Sequence, residues 1–339
     1  MTLLRKVWQL KKFLRLPPGA ARMNCLAAFI GALAVVILAL NFHATPAGAG
    51  LDAASLAGGQ FATGASPMIS MPLGGSDQGL SGLSADELNK RIHGAIHGSK
   101  LALQLHVALL ELGRHRIENF PDYSATFFKQ ERVDGDALQE LQSCQLKLRH
   151  KPFSVYMKWL EGGDVGRQVL FVEGEHDDKM LVKLGGRKAV LPTLKLDPNG
   201  SMALQESRHP VVEMGLLQLA DLIIKYRKRD LALQSGLRWQ MVPDQKIMDR
   251  DCHGFVVEYD SREIEPVYRK TITYIDKEWS IPICVRNFGW PTEPPSEEQT
   301  ETLDEATLIE YYGYKDLQFE TRLSDADFDK GNSDYKFRR

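Results

Sequence analysis

Phe153-Ser154-Val155-Tyr156-Met157-Lys158-Trp159 alternates apolar and polar side chains. Successive side chains of a strand point to opposite faces, so Phe153, Val155, Met157 and Trp159 share one face while Ser154, Tyr156 and Lys158 take the other. The same alternation recurs at residues 123–132, 143–150, 168–173 and 179–184. Turn chemistry breaks these runs at Lys151-Pro152, at Gly162-Gly163-Asp164 and over residues 174–178. The stretch from Tyr123 to Leu196 therefore reads as an antiparallel β-meander with one apolar face. Function has to follow from what a curved, one-sided sheet can hold.

Upstream, Ser84-Ala85-Asp86-Glu87 is a capping box that opens a helix running toward Asn119, where Pro121 stops it. Its apolar face would carry Leu88, Ile92, Ile96, Leu103, Val107, Leu110 and Ile117. Downstream, Asp197-Pro198-Asn199-Gly200 is a turn, and Pro210 introduces a helix over residues 211–226. Met214, Leu216, Leu217, Leu219, Ala220, Leu222, Ile223 and Ile224 cover most of its circumference, which predicts a helix buried on nearly all sides. Lys225, Arg227, Lys228 and Arg229 follow as cations that offset its C-terminal dipole. Strand patterns return at 254–259, 267–275, 281–288 and 307–319, with an acidic, Pro-rich loop at 291–305. Sheet, crossing helix, buried helix and further sheet make one α+β domain over residues 83–339.

The N-terminus carries a different signal. Residues 1–24 hold Arg5, Lys6, Lys11, Lys12, Arg15 and Arg22, and residues 25–43 are a signal peptide or transmembrane anchor. Ala47-Gly48-Ala49 favours cleavage, whereas the stripe Leu3, Val7, Leu10 and Leu14 favours a retained anchor with an interfacial helix. Either way the basic flank places the chain beyond His43 outside the cytoplasm. Residues 44–82, rich in Gly, Ala, Ser and Pro, are a flexible linker. The expected setting is the cell envelope: a periplasmic domain, tethered to the inner membrane or secreted, with the membrane as a partner through this segment. A net charge of -2 excludes broad affinity for nucleic acid. Cys144, Cys252 and Cys284 have no metal-ligand spacing and read as buried thiols, with Cys252–Cys284 as the alternative bridge.

Two resemblances rest on ordered motifs. Pro152-Phe153-Ser154-Val155-Tyr156-Met157-Lys158, Gly166-Arg167-Gln168-Val169, Leu196-Asp197-Pro198-Asn199-Gly200, Arg208-His209-Pro210-Val211 and Leu323-Ser324-Asp325-Ala326-Asp327-Phe328-Asp329 resemble a family of uncharacterised extracytoplasmic domains found largely in planctomycetes. That resemblance covers about residues 141–337 and implies no activity. Tyr123-Ser124-Ala125-Thr126-Phe127-Phe128-Lys129-Gln130, Lys151-Pro152-Phe153, Ile275-Asp276 and Ile281-Pro282-Ile283 follow the order of landmarks in LolA-type periplasmic lipoprotein carriers. This more distant similarity implies a highly curved antiparallel sheet, an incomplete barrel, with helices packed in its concave face. Met180-Leu181-Val182 departs from the carriers' aspartate-glycine turn.

Candidate chemistry is sparse. His93 and His97 are spaced as metal ligands, yet the segment lacks the glutamate of a zinc protease. Asp325, Asp327 and Asp329 begin like a calcium loop, but Lys330 and Lys336 replace its glycine and its last glutamate, so the stretch reads as a capped turn. Cys252 and His253 would point to opposite faces of a strand. No nucleophile elbow, P-loop or dinucleotide fingerprint occurs, so neither catalysis, metal nor cofactor is expected. The candidate site is an apolar cavity lined by Phe153, Val155, Met157, Trp159, Val169 and Phe171 of the sheet with Met214, Leu216, Leu219 and Ile223 of the second helix. Its expected occupant is a lipid, an acyl chain or a lipidated protein. The alternative is an interaction domain of the envelope whose core is filled.

Overall fold

The computed structural model describes residues 100–133, 137–294 and 296–337. The segments 1–24, 25–43 and 44–82, the capping box at Ser84 and the His93–His97 pair lie outside the described residues. Helix α1 (Lys100–Glu118) leads into a meander of β1 (Asp122–Glu131), β2 (Gln142–Arg149), β3 (Ser154–Glu161), β4 (Gln168–Val172), β5 (Met180–Lys183) and β6 (Leu194–Leu196). A short helix, α2 (Ser201–Leu204), and a longer one, α3 (Leu216–Ala232), follow. The second meander is β7 (Leu237–Ile247), β8 (Arg250–Tyr259), β9 (Tyr268–Asp276), β10 (Pro282–Gly289) and β11 (Leu308–Phe319), with α4 (Glu297–Thr307) before its last strand.

Pairing of β1 with β11 joins the two meanders into one antiparallel sheet of eleven strands, in the order β6-β5-β4-β3-β2-β1-β11-β10-β9-β8-β7. Strands β6 and β7 are its edges, so the sheet is open. Bulges at Ser124/Thr126, Asn287/Phe288 and Val242/Gln245 bend individual strands and curve the whole. Tyr123, Phe127, Leu146, Leu148, Val155 and Met157 form the core of the inner face together with Leu216 of α3. The hydroxyl of Tyr123 accepts the backbone N–H of Leu216 at 2.9 Å and so fixes the start of α3 on β1.

The opposite face of β3–β5 is covered as well, because Phe328, Tyr335 and Phe337 pack on Tyr156, Leu170, Val172 and Leu181. That double cover explains why every residue of β4 is buried. The C-terminal segment is pinned by a capped 3-10 turn at Asp325–Phe328, where Asp327 meets Lys147 at 2.7 Å and Asp325 meets Arg149 at 2.6 Å. Cations thus occupy two of the three carboxylates of the apparent calcium motif, while Asp329 accepts the backbone N–H of Gly331 at 2.7 Å.

Several expectations need correction. Strand β7 escaped the periodicity because its burial is irregular around an edge-strand bulge. The loop expected at 291–305 instead turns helical at Glu297 and runs into α4, whose Asp304 pairs with Lys270 at 2.7 Å. The second helix starts at Leu216 and not at residue 211, since Gly215 adopts φ 116° and separates it from a 3-10 turn at Val211–Glu213. Nor is it buried all round: Leu222 is 40% exposed, and Leu217 and Leu219 are half-buried. Its basic end is more than a dipole cap, because Arg227 and Arg229 pair with the buried Asp230 and Arg229 also with Glu265. Cys144, Cys252 and Cys284 are free buried thiols, and burial pushes each up to about 12. Among the described residues no helix is long and apolar enough to cross a membrane.

Candidate functional site: an amphipathic cavity under helix α3

The inner face of the sheet is not filled by α3. Between them, roofed in part by residues 198–215, lies a cavity of about 590 Å³. Its volume falls in the range of small-molecule sites, which is roughly 300–1,000 Å³. Apolar side chains form the wall on β3–β6, where Met157, Val169, Val182 and Leu194 are consecutive cross-strand partners. Val211, Val212, Met214, Leu219 and Ile223 close it from above. Its mouth is rimmed by Met202, which is 60% exposed, and by Leu222.

The wall on β1 and β9–β11 is polar. Parity along β1 carries the inner face from Tyr123 and Phe127 to Lys129 and Glu131, and β11 answers with Tyr314, Tyr312 and Glu310 at the paired positions. Glu310 is bound by Arg208 Nε at 2.9 Å, by the Tyr268 hydroxyl at 2.9 Å and by Asn287 Nδ2 at 2.6 Å. His209 Nε2 adds a contact at 3.3 Å. Glu131 accepts from the Tyr312 hydroxyl at 2.6 Å and from Lys129 Nζ at 3.0 Å. Burial alone would raise the Glu310 carboxyl, but His209, Asn287 and Arg208 outweigh it and hold it at about 2. The same contact with Glu310 raises His209 against the opposing pull of burial. Burial, then the charges of Glu310 and Glu131, push Tyr312 well above the tyrosine range.

Nearer the mouth, Arg167 pairs with Asp164 at 3.0 Å and Glu206 at 2.5 Å, and its guanidinium lies 5.4 Å from the Trp159 ring centre. Lys129 Nζ also reaches Ser207 Oγ at 3.4 Å and the Glu206 carbonyl at 3.5 Å. These bonds tie the roof segment to the sheet.

Of the residues singled out in the sequence, the structure brings Met157, Trp159, Val169, Met214, Leu219 and Ile223 to the cavity lining. Phe153 and Phe171 instead edge a separate polar recess with Glu173, Asp178 and Asn199. Val155 and Leu216 are fully buried in the core and do not reach the cavity. The polar wall was missed altogether. Its signal was nevertheless present, since Lys129 and Glu131 share the parity of Phe127, and a charge at an inward position of an amphipathic strand needs a partner.

A family model described as a protein of unknown function (DUF1571) matches residues 120–337. Comparison with the curated proteins gives no match. Among solved structures, a DUF1329 family protein from Desulfovibrio piger is 13% identical, with 66% of this chain and 96% of that one covered and a TM-score of 0.31. The lipoprotein LppX of Mycobacterium tuberculosis is 11% identical over 65% of this chain and 97% of its own, with a TM-score of 0.36. A LolA superfamily protein from Nitrosomonas europaea is 12% identical over 66% and 96%, with a TM-score of 0.27. The architecture stands on the strand order and the cavity described above.

Proposed function

The chain belongs to the DUF1571 family of proteins of unknown function, and we propose that this member is a non-enzymatic extracytoplasmic domain that binds an apolar ligand in the cavity under α3. The ligand class is a lipid, an acyl chain or a lipidated protein segment. One observation supports the reading above all: an apolar wall of Met157, Val169, Val182 and Leu194 faces a cavity of about 590 Å³ and not a packed helix. Alkyl groups moved from water onto that wall gain roughly 0.8 kcal/mol per methylene. Two methionines on opposite sides, Met157 and Met214, adapt to ligands of different shape.

Other features fit a binder better than a catalyst. The carboxylates of the polar wall, Glu131 and Glu310, are held by their neighbours, and the buried thiols are held in their inert, protonated form. The cavity also speaks against an interaction domain with a filled core, which would leave no space of this size between sheet and helix. In this reading residues 25–43 deliver the domain to the envelope and residues 44–82 let it reach its ligand.

Organic extraction of the purified full chain, followed by mass spectrometry, tests the proposal. A copurifying alkyl compound, absent from the cavity-filling variant Leu219→Trp, is the expected result. No such compound, together with no uptake of long-chain alkyl probes, would overturn it.

A further inference from the structure

We propose that the ligand is an amphiphile with an anionic head, a carboxylate or a phosphate monoester, which sits between Lys129 and Arg167 while its tail follows the apolar wall. This deepens the reading just given and rests on it. Lys129 is 6% exposed and matched by the buried Glu131, whereas the largely buried Arg167 draws one of its two carboxylate partners, Glu206, from the exposed roof segment. The two converge on Glu206 of the roof segment, one on its carboxylate and the other on its carbonyl, and both line the cavity.

Glu206 holds this place when no ligand is bound. Its carboxylate, the more exposed member of the pair at 58%, reaches from the roof segment to Arg167, and its carbonyl lies 3.5 Å from Lys129 Nζ. The remaining charges nearby are fixed otherwise. Glu131 is buried on Lys129 and Tyr312, Asp164 closes its own turn onto Arg167, and Glu310 is saturated by Arg208, His209, Tyr268 and Asn287. An incoming head would displace the Glu206 carboxylate, take its bond to Arg167 and replace the long 3.4 and 3.5 Å contacts of Lys129 with a short charge-assisted one. A neutral head offers no such exchange.

Binding of hexadecanoic acid, hexadecyl phosphate and hexadecanol to the full chain at pH 8 tests this. At least one of the two acids should bind about tenfold tighter than the alcohol, the scale of one charge-assisted hydrogen bond. Comparison of the acid with the phosphate identifies which head fits. Glu206→Gln should tighten that anion severalfold and leave the alcohol unchanged, because it removes the competing carboxylate. Arg167→Gln should bring acid and alcohol to similar affinity. Equal binding of all three probes to the wild type, or an acid preference that ignores both substitutions, would overturn the anionic head while leaving the apolar cavity intact. Failure of every probe to bind would instead count against the binding function itself.

Discussion

Glu131 and Glu310 stand directly opposite each other across the β1–β11 pair, and they are 1% and 2% exposed. Like charges in that relation repel at close range and lose their water as well. Tyr312 contacts both carboxylates, at 2.6 Å to Glu131 and 3.5 Å to Glu310, while Lys129 neutralises the first and Arg208 with His209 the second. The pair thus anchors the roof segment, through residues 208 and 209, onto the middle of the sheet.

Removing one member should be worse than its hydrogen bonds suggest. Glu310→Ala leaves Arg208 short of a counter-ion beside a buried network, and a loss of about 3–5 kcal/mol is expected in chemical denaturation. Because the folded carboxyl is depressed to about 2, its contribution is complete above the ordinary glutamate value and fades as pH falls from about 4.5 toward 2. The amount at stake is on the order of 3 kcal/mol. Acid titration of wild type against Glu310→Gln should show the two curves converging over that interval.

His209 has the opposite sign. Its folded value is raised by Glu310, so its stabilising part is fully present below the unfolded value near 6.5 and is lost as pH rises through the folded one. The difference in melting temperature between wild type and His209→Gln should therefore be larger at pH 6 than at pH 9. A difference that grows with pH would remove the ion pair from the account.

Leu216 and Leu219 separate core from cavity on one helix. Leu216 is wholly buried in the core, and Leu216→Ala should cost about 2–5 kcal/mol. Leu219 is half-buried and faces the cavity, so Leu219→Ala should cost clearly less while changing the affinity for alkyl probes. Paired thermal melts and binding titrations on the two variants check the contrast.

Gly113 allows α1 to lie on the turn before β10. A Cβ there would come within 2.0 Å of the Ser280 carbonyl oxygen, which is backbone and cannot rotate away. Gly113→Ala, favourable by helix propensity alone, should instead destabilise the domain by at least about 1–3 kcal/mol. An unchanged denaturation midpoint would show that α1 packs elsewhere.

The meander was legible because its alternation is clean: nine of the eleven strands were expected within a few residues. β6 is only three residues long, and β7 is an irregular edge, so neither holds a period long enough to read. The onset of α3 at Leu216 depends on the positive φ of Gly215, which an apolar count over residues 211–226 ignores. Half of the cavity lay hidden for a related reason. An apolar pattern marks only one wall, whereas Lys129, Glu131, Glu310 and Tyr312 converge only when β11 pairs with β1 across 181 positions of sequence. Val155 and Leu216 show the converse limit, because an inward apolar side chain can fill the core without touching the cavity.

The most direct test is the affinity of the full chain for alkyl carboxylates of increasing length, measured against Leu219→Trp. The account predicts one saturable site whose affinity rises about fourfold per added methylene, the equivalent of roughly 0.8 kcal/mol, until the cavity is filled. It also predicts that Leu219→Trp cuts this series off at a shorter chain without lowering the melting temperature. An affinity independent of chain length, or one that the added indole leaves untouched, would contradict binding beneath α3.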